Sequence, residues 1–239
     1  MSLVLVSSVR GAPGVTTTCL LLAGCLDGAV LAEADLAGGV LAVRYQLGRE
    51  PGLTTLAGAG PIEPDGWRDH TQLAGGVTVL VGPDAPNSSE SMWQRAGGHL
   101  GAVLTGIDAP VVVDAGRLSD RTPLVGTAAL VVVVVRPIAE HLVALAHRLS
   151  ALRQTALAGG VGVVLVGEGP YRAADVAGPL EVEVLGTLPE DHRAAEVLRG
   201  GGRSSVLRRS RLARAVVPMT AAITGRVDGL VVPRAGVTA

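Results

Sequence analysis

The sequence predicts an α/β fold: a doubly wound, mostly parallel sheet with helices on both faces, built as a single domain. Three observations carry that expectation. Short apolar, β-branched runs recur along the 239 residues, at positions 3–6, 29–32, 77–81, 111–113, 130–135, 161–166 and 182–185. Several are apolar throughout, as strands buried on both faces must be. The segments between them are helical in pattern or rich in glycine, and strands alternating with helices place a ligand at the carboxyl ends of the strands.

Taken in order, the first run leads through a glycine-rich turn into a helix expected over residues 16–26. Residues 58–76 and 83–91 are rich in Gly, Pro, Asp and Ser and read as surface loops. The clearest helix spans 138–153, where Leu142, Leu145, Ala146, Leu149 and Leu152 recur at helical spacing behind Pro137. A last helix is expected over 205–224, with Pro218 kinking or splitting it. The domain is expected to occupy residues 1–225, with an irregular tail over 226–239.

Composition narrows the function. Net charge is −1, so bulk charge points to no polyanionic partner. All 20 Lys+Arg residues are arginine, and phenylalanine is absent. The N-terminal apolar run is shorter than a secretory h-region and lacks a charged n-region, so a cytoplasmic location is expected. The longest apolar stretch, 128–135, is far below the ~20 residues of a spanning helix, and a membrane partner is not expected. Cys19 and Cys25 lie six apart in one expected helix and, at ~100° per residue, point to different sides. They read as two small buried thiols. The five histidines are scattered, and His141 and His147 lack metal-ligand spacing on their shared helix. No Gly-x-Gly-x-x-Gly follows the first strand, which argues against a dinucleotide oxidoreductase.

Chemistry concentrates at three strand ends. Arg10, Gly11, Ala12, Pro13, Gly14, Val15, Thr16 and Thr17 form a glycine-rich strand-to-helix turn, whose backbone N–H groups and helix N-terminus suit a phosphate. Thr16 stands where a hydroxyl ligates Mg²⁺ in such loops, whereas Val15 stands where lysine reaches the phosphates. Glu33-Ala34-Asp35 follows the second run, with carboxylates poised to hold a metal-bound or attacking water. Val111-Val112-Val113-Asp114-Ala115-Gly116 ends an apolar strand on an acid and a glycine.

Together these residues resemble the deviant Walker A loop, switch I and switch II of ParA/MinD-type ATPases, a SIMIBI-class P-loop family. The family loop reads Lys-Gly-Gly-x-Gly-Lys-Thr/Ser-Thr, so this chain resembles a degenerate member without the Walker lysines. Val134-Val135-Arg136-Pro137 is similar to the strand end after switch II, and Gly186-Thr187-Leu188-Pro189-Glu190-Asp191 to the nucleotide-base loop. The resemblance spans about residues 3–220. It implies ATP and Mg²⁺ as cofactors, with residues 10–17, Pro189 and Asp191 on the nucleotide. Thr16, Asp35 and Asp114 fall on the metal, and Asp35 and Arg10 are the implied catalytic pair. In the family the lysine at Arg10 crosses a nucleotide-sandwich homodimer to the partner's phosphates.

Losing the lysine at Val15 removes a charge-assisted contact of about 1.5–3 kcal/mol, roughly 10- to 150-fold in binding. The implied function is a slow, nucleotide-dependent dimer switch in positioning or partitioning, acting with a protein partner or cargo adaptor. The alternative is a catalytically inactive pseudo-ATPase scaffold. A ligase or synthetase of the same superfamily is a third class and equally needs a working phosphate loop. A late basic cluster, Arg203, Arg208, Arg209, Arg211 and Arg214, is similar to the nonspecific DNA surface of ParA-like proteins.

Overall fold

A computed structural model describes residues 3–11, 13–156, 160–200 and 204–228. In chain order these form β1 (Leu3–Ser8), α1 (Val15–Cys25), β2 (Val30–Glu33), α2 (Leu41–Tyr45) and α3 (Leu53–Gly58). A 3-10 turn (Gly66–His70), β3 (Gln72–Ala74), β4 (Val77–Leu80), α4 (Pro86–Gly106) and β5 (Val111–Arg117) follow. The second half comprises β6 (Leu130–Val135), α5 (Ala139–Thr155), β7 (Val161–Val166), α6 (Ala173–Leu180), β8 (Glu183–Leu188), α7 (His192–Val197), α8 (Ser204–Arg208) and α9 (Arg211–Asp228).

The strands make one sheet in the order β3-β4-β2-β5-β1-β6-β7-β8. Every pairing is parallel except β3 with β4. The expected doubly wound architecture is therefore present. β1 lies between β5 and β6, so the chain winds outward on both sides of it. This is the topological switch point, where the crevice of an open α/β sheet lies.

Strand alternation divides the core into two layers. On β6, Val131, Val133 and Val135 pack under one face with Trp93, Leu100, Leu104, Leu145, Leu149 and Leu152. Leu130, Val132 and Val134 pack under the other with Val15, Cys19, Leu22, Leu212, Val216 and Met219. α3, α4 and α5 cover the first face, and α1 and α9 the second. The same two-residue period aims the strand-end acids. Asp114 shares the face of Val112, which meets α1, and Glu33 shares that of Leu31.

Several local expectations are corrected. β3 is an antiparallel edge strand of only 3 residues, too short to register as an apolar run. Residues 86–91 are not loop: Pro86 opens α4 at a first-turn position, where its missing N–H costs nothing. The last helix divides at Arg209 and Ser210 rather than at Pro218, because the Ser210 hydroxyl accepts from the Ala213 N–H at 3.0 Å and caps α9. Pro218 stays inside α9, which Leu212, Val216, Met219, Ile223 and Val227 hold against the sheet. Residues 226–228, expected to open the tail, continue that helix. Cys19 is buried, but Cys25 is exposed. Residues 229–239, Ala12 and Arg203 lie outside the described residues.

Candidate functional site

β1 ends in a cradle built on two left-handed glycines, Gly11 at φ 61° and Gly14 at φ 98°. Gly14 caps α1, and its carbonyl accepts from both the N–H (2.8 Å) and the hydroxyl (3.0 Å) of Thr18. The first-turn N–H groups of α1 stand at the carboxyl end of the central strand β1. Val15 turns the other way: it is 7% exposed and packs into the core with Cys19 and Leu22. The Val15 side chain therefore points into the fold.

The carboxylates meet at the ends of β2 and β5. The Thr16 hydroxyl lies beside the buried Asp114 carboxylate and favours its charged form, and that carboxylate accepts from the Gly116 N–H at 3.0 Å. Asp35 lies directly against Gly116, whose φ is 56°, and a Cβ there would fall 2.0 Å from the Asp35 carboxyl carbon. Asp35 accepts from the Ala37 N–H at 2.8 Å, and its own carbonyl accepts from the buried Ser89 hydroxyl at 2.9 Å. Burial raises the carboxyl pKa of Asp114, aided by the Asp35 charge, while Thr16 and Gly116 oppose the shift. Burial also raises Asp35. The structure thus brings Thr16, Asp35 and Asp114 together beside the cradle.

Glu33 does something else. Its Oε1 accepts from Val40 N–H (2.6 Å) and Leu41 N–H (2.9 Å), and its Oε2 from Gly82 N–H (3.1 Å). Burial raises its pKa against those bonds. The expectation that both carboxylates of Glu33-Ala34-Asp35 address water is corrected: Glu33 is spent on fastening α2 and the β4–α4 connection. Gly39 and Gly82 make room for it, since a Cβ at either would fall within 2.3 Å of Glu33 atoms.

On the other flank, Pro13, Gly14, Thr17 and Thr18 face Leu188, Pro189, Glu190, Asp191 and Arg136 across a cavity of about 130 Å³. That far exceeds the ~10–15 Å³ one water needs. Asp191 caps α7 by accepting from the Ala194 N–H at 3.0 Å. Arg136 pairs with Glu190 at 2.6 Å across the cavity mouth. Arg10 is exposed at the loop's outer edge.

The two flanks also touch directly. The Tyr45 hydroxyl at the end of α2 donates to the Leu198 carbonyl at 2.8 Å, just past α7. Gly200 lies so close to the Arg44 carbonyl that a Cβ would fall 2.1 Å from it. Sequence reasoning missed this contact, as it missed the buried His141 beside Gly11. The signal for His141 was its place in the first turn after β6, the strand beside β1, and that needs the strand order.

Arg208, Arg209, Arg211 and Arg214 are exposed along α8 and the start of α9. Among the described residues no group of three or more His, Cys, Asp or Glu could hold a metal ion. A Mg²⁺ site of one hydroxyl and two carboxylates, completed by phosphate and water, is not of that kind. Among the described residues no helix is long and apolar enough to cross a membrane.

The fold is a doubly wound α/β architecture of the P-loop NTPase-like kind. No protein-family model matches the chain, and no curated protein matches it. Solved structures do. The cell division ATPase MinD of Pyrococcus furiosus is 20% identical at a TM-score of 0.74, covering 94% of this chain and 98% of that one. A ParA family ATPase from Chlorobium tepidum is 14% identical at a TM-score of 0.76, covering 92% and 97%. The septum site-determining protein MinD of Pyrococcus horikoshii, complexed with Mg-ADP, is 16% identical at a TM-score of 0.71, covering 93% and 95%. At these identities the shared property is the fold, and it extends over nearly the whole chain.

Proposed function

We propose that this chain is a ParA/MinD-like nucleotide-binding protein that works as a slow, nucleotide-dependent dimer switch in intracellular positioning or partitioning. The observation that carries the reading is the meeting of Thr16, Asp114 and Asp35 at one edge of the Gly11–Gly14 cradle. Three sequence segments far apart in the chain supply one hydroxyl and two carboxylates, a set of hard oxygen donors that suits Mg²⁺ with phosphate and water. Thr16 and Asp114 would hold that ion with Asp35 beside it, and the ion would screen phosphate charge. Asp35 orients the attacking water. The phosphates sit on the backbone N–H groups of the cradle, and the base enters the cavity lined by Pro189 and Asp191. Arg10 retains part of the charge that the missing lysine would supply.

The test is sedimentation velocity with and without Mg-ATP, alongside phosphate release. We expect dimer formation with nucleotide and slow turnover that Asp35→Ala abolishes. Absence of binding at millimolar Mg-ATP overturns the reading.

A second reading has its own support. Val15 is built into the core, so the position most needed for turnover has a packing role instead. On that reading the chain is a pseudo-ATPase scaffold that keeps the fold and a dimer surface for partner proteins. Dimerisation would then ignore nucleotide, and any turnover sensitive to Asp35→Ala would refute it. Under either reading the exposed Arg208, Arg209, Arg211 and Arg214 offer a patch for nonspecific DNA, which salt would weaken steeply.

A further inference from the structure

His141 is 7% exposed, in the first turn of α5, and its ring lies against the cradle. Its Nδ1 accepts from the backbone N–H of Arg136 at 3.3 Å. In a neutral imidazole that bond settles the tautomer: the proton sits on Nε2, which becomes a donor. Nε2 points at the loop, 3.7 Å from where a Cβ on Gly11 would stand. Among the described residues nothing accepts from it.

The ring is thus fixed by the fold while its donor is left facing the loop, where a ligand atom can accept from it. Around it stand Arg10 on the loop, Arg136 at the end of β6 with its Glu190 partner, and Glu140 on α5 itself. Arg136 and Arg10 outweigh Glu140 in their effect on the ring, so the acceptor that suits this position is anionic.

We propose that His141 is a phosphate-binding residue of this site, its Nε2–H donating to a phosphate oxygen held over Gly11. The proposal rests on the reading of the cradle as a nucleotide site and names the side chain that, with Arg10, takes over from the absent lysine. Without a ligand, burial and the two arginines hold the imidazole below its ordinary pKa, against a smaller opposing pull from Glu140. An adjacent phosphate reverses that balance and favours the imidazolium, which donates more strongly. Binding therefore takes up a proton, and affinity rises as pH falls through the imidazole range.

The test measures binding of a fluorescent Mg-ATP analogue, with inorganic triphosphate as competitor, from about pH 6 to about pH 8.5, bracketing the ordinary imidazole value of about 6.5. Wild type, His141→Ala and His141→Gln are compared after thermal melts verify folding. We expect His141→Ala to bind both ligands about 10-fold or more weakly, which assigns the contact to phosphate rather than base. His141→Gln keeps a donor but cannot titrate, so it should retain most affinity at the alkaline end and lose the wild-type rise at the acid end. An unchanged pH slope in His141→Gln, or wild-type affinity in a folded His141→Ala, overturns this proposal alone. Failure of the wild type to bind millimolar Mg-ATP overturns it together with the nucleotide reading.

Discussion

Gly116 donates its N–H to Asp114 and leaves room for the Asp35 carboxyl. A methyl group there would fall 2.0 Å from the Asp35 carboxyl, at a backbone φ of 56° that L-residues adopt at a cost of about 1–2 kcal/mol. Gly116→Ala should therefore displace Asp35 and reduce any hydrolysis to the level of Asp35→Ala, while melting only a few degrees lower. Phosphate-release assays and thermal melts on both variants check this. Val15→Lys has two opposed effects. The core loses a buried valine and must expel an ammonium, for which a loss of about 1–3 kcal/mol is expected. If the new chain reaches the cradle, nucleotide affinity rises by about 10-fold or more. Denaturant titration and nucleotide binding on the same variant separate the two. Burial raises Glu33, Asp35 and Asp114 above the ordinary carboxylate range of about 3.9–4.3. A raised folded pKa means that the native state holds the proton more tightly than the unfolded chain. The stability contributed is complete below the ordinary range and is lost as pH rises through the elevated values. Asp114→Asn should thus be more stable than wild type at neutral pH without Mg²⁺, with the gap closing at mildly acid pH. Thermal melts across that range test it, and a gap independent of pH would contradict the assignment.

At the scale of elements, α2 depends on Glu33. The helix has 5 residues and no side-chain cap of its own, and its first N–H groups end on a carboxylate seven and eight positions upstream. Glu33→Ala leaves three donors without a partner and should cost about 2–4 kcal/mol. Hydrogen exchange at Val40, Leu41 and Gly82 should accelerate before global unfolding does. What the sequence revealed at this scale follows from physics. The valine run of β6 is legible because strands buried on both faces carry no polar residue. β3 was not, since its three residues gain their identity only by pairing with β4. The start of α4 was hidden too: Pro-Asn-Ser-Ser reads as a turn, and the helix is rich in glycine. Its burial of Met92, Trp93, Leu100 and Leu104 on the sheet overrides weak local propensity. Of the site, the cradle, Asp35 and Asp114 were legible because glycine and acid at strand ends form a motif. The roles of Glu33 and His141 were not, because both are decided by which backbone N–H lies opposite each side chain.

Across the whole molecule, β1 is the axis: it bonds to β5, which bears Asp114, and to β6, which leads to Arg136 and His141. The carboxylate flank and the cavity flank belong to opposite halves of the sheet, and the chain joins them only through the core. The Tyr45–Leu198 hydrogen bond and the Gly200–Arg44 approach add a second connection on the outside. The two flanks are thus joined twice, as in a ring, once through the sheet and once through these contacts. On the proposed function, the water end could not relax after bond cleavage without loosening the grip on the base, and departure of the spent nucleotide would be geared to the motion that cleavage releases. Tyr45→Phe opens the ring at one bond and leaves every cradle residue in place. Its expected signature in stopped-flow measurements is faster nucleotide release at an unchanged cleavage rate; equal release rates would mean that the two halves let go independently.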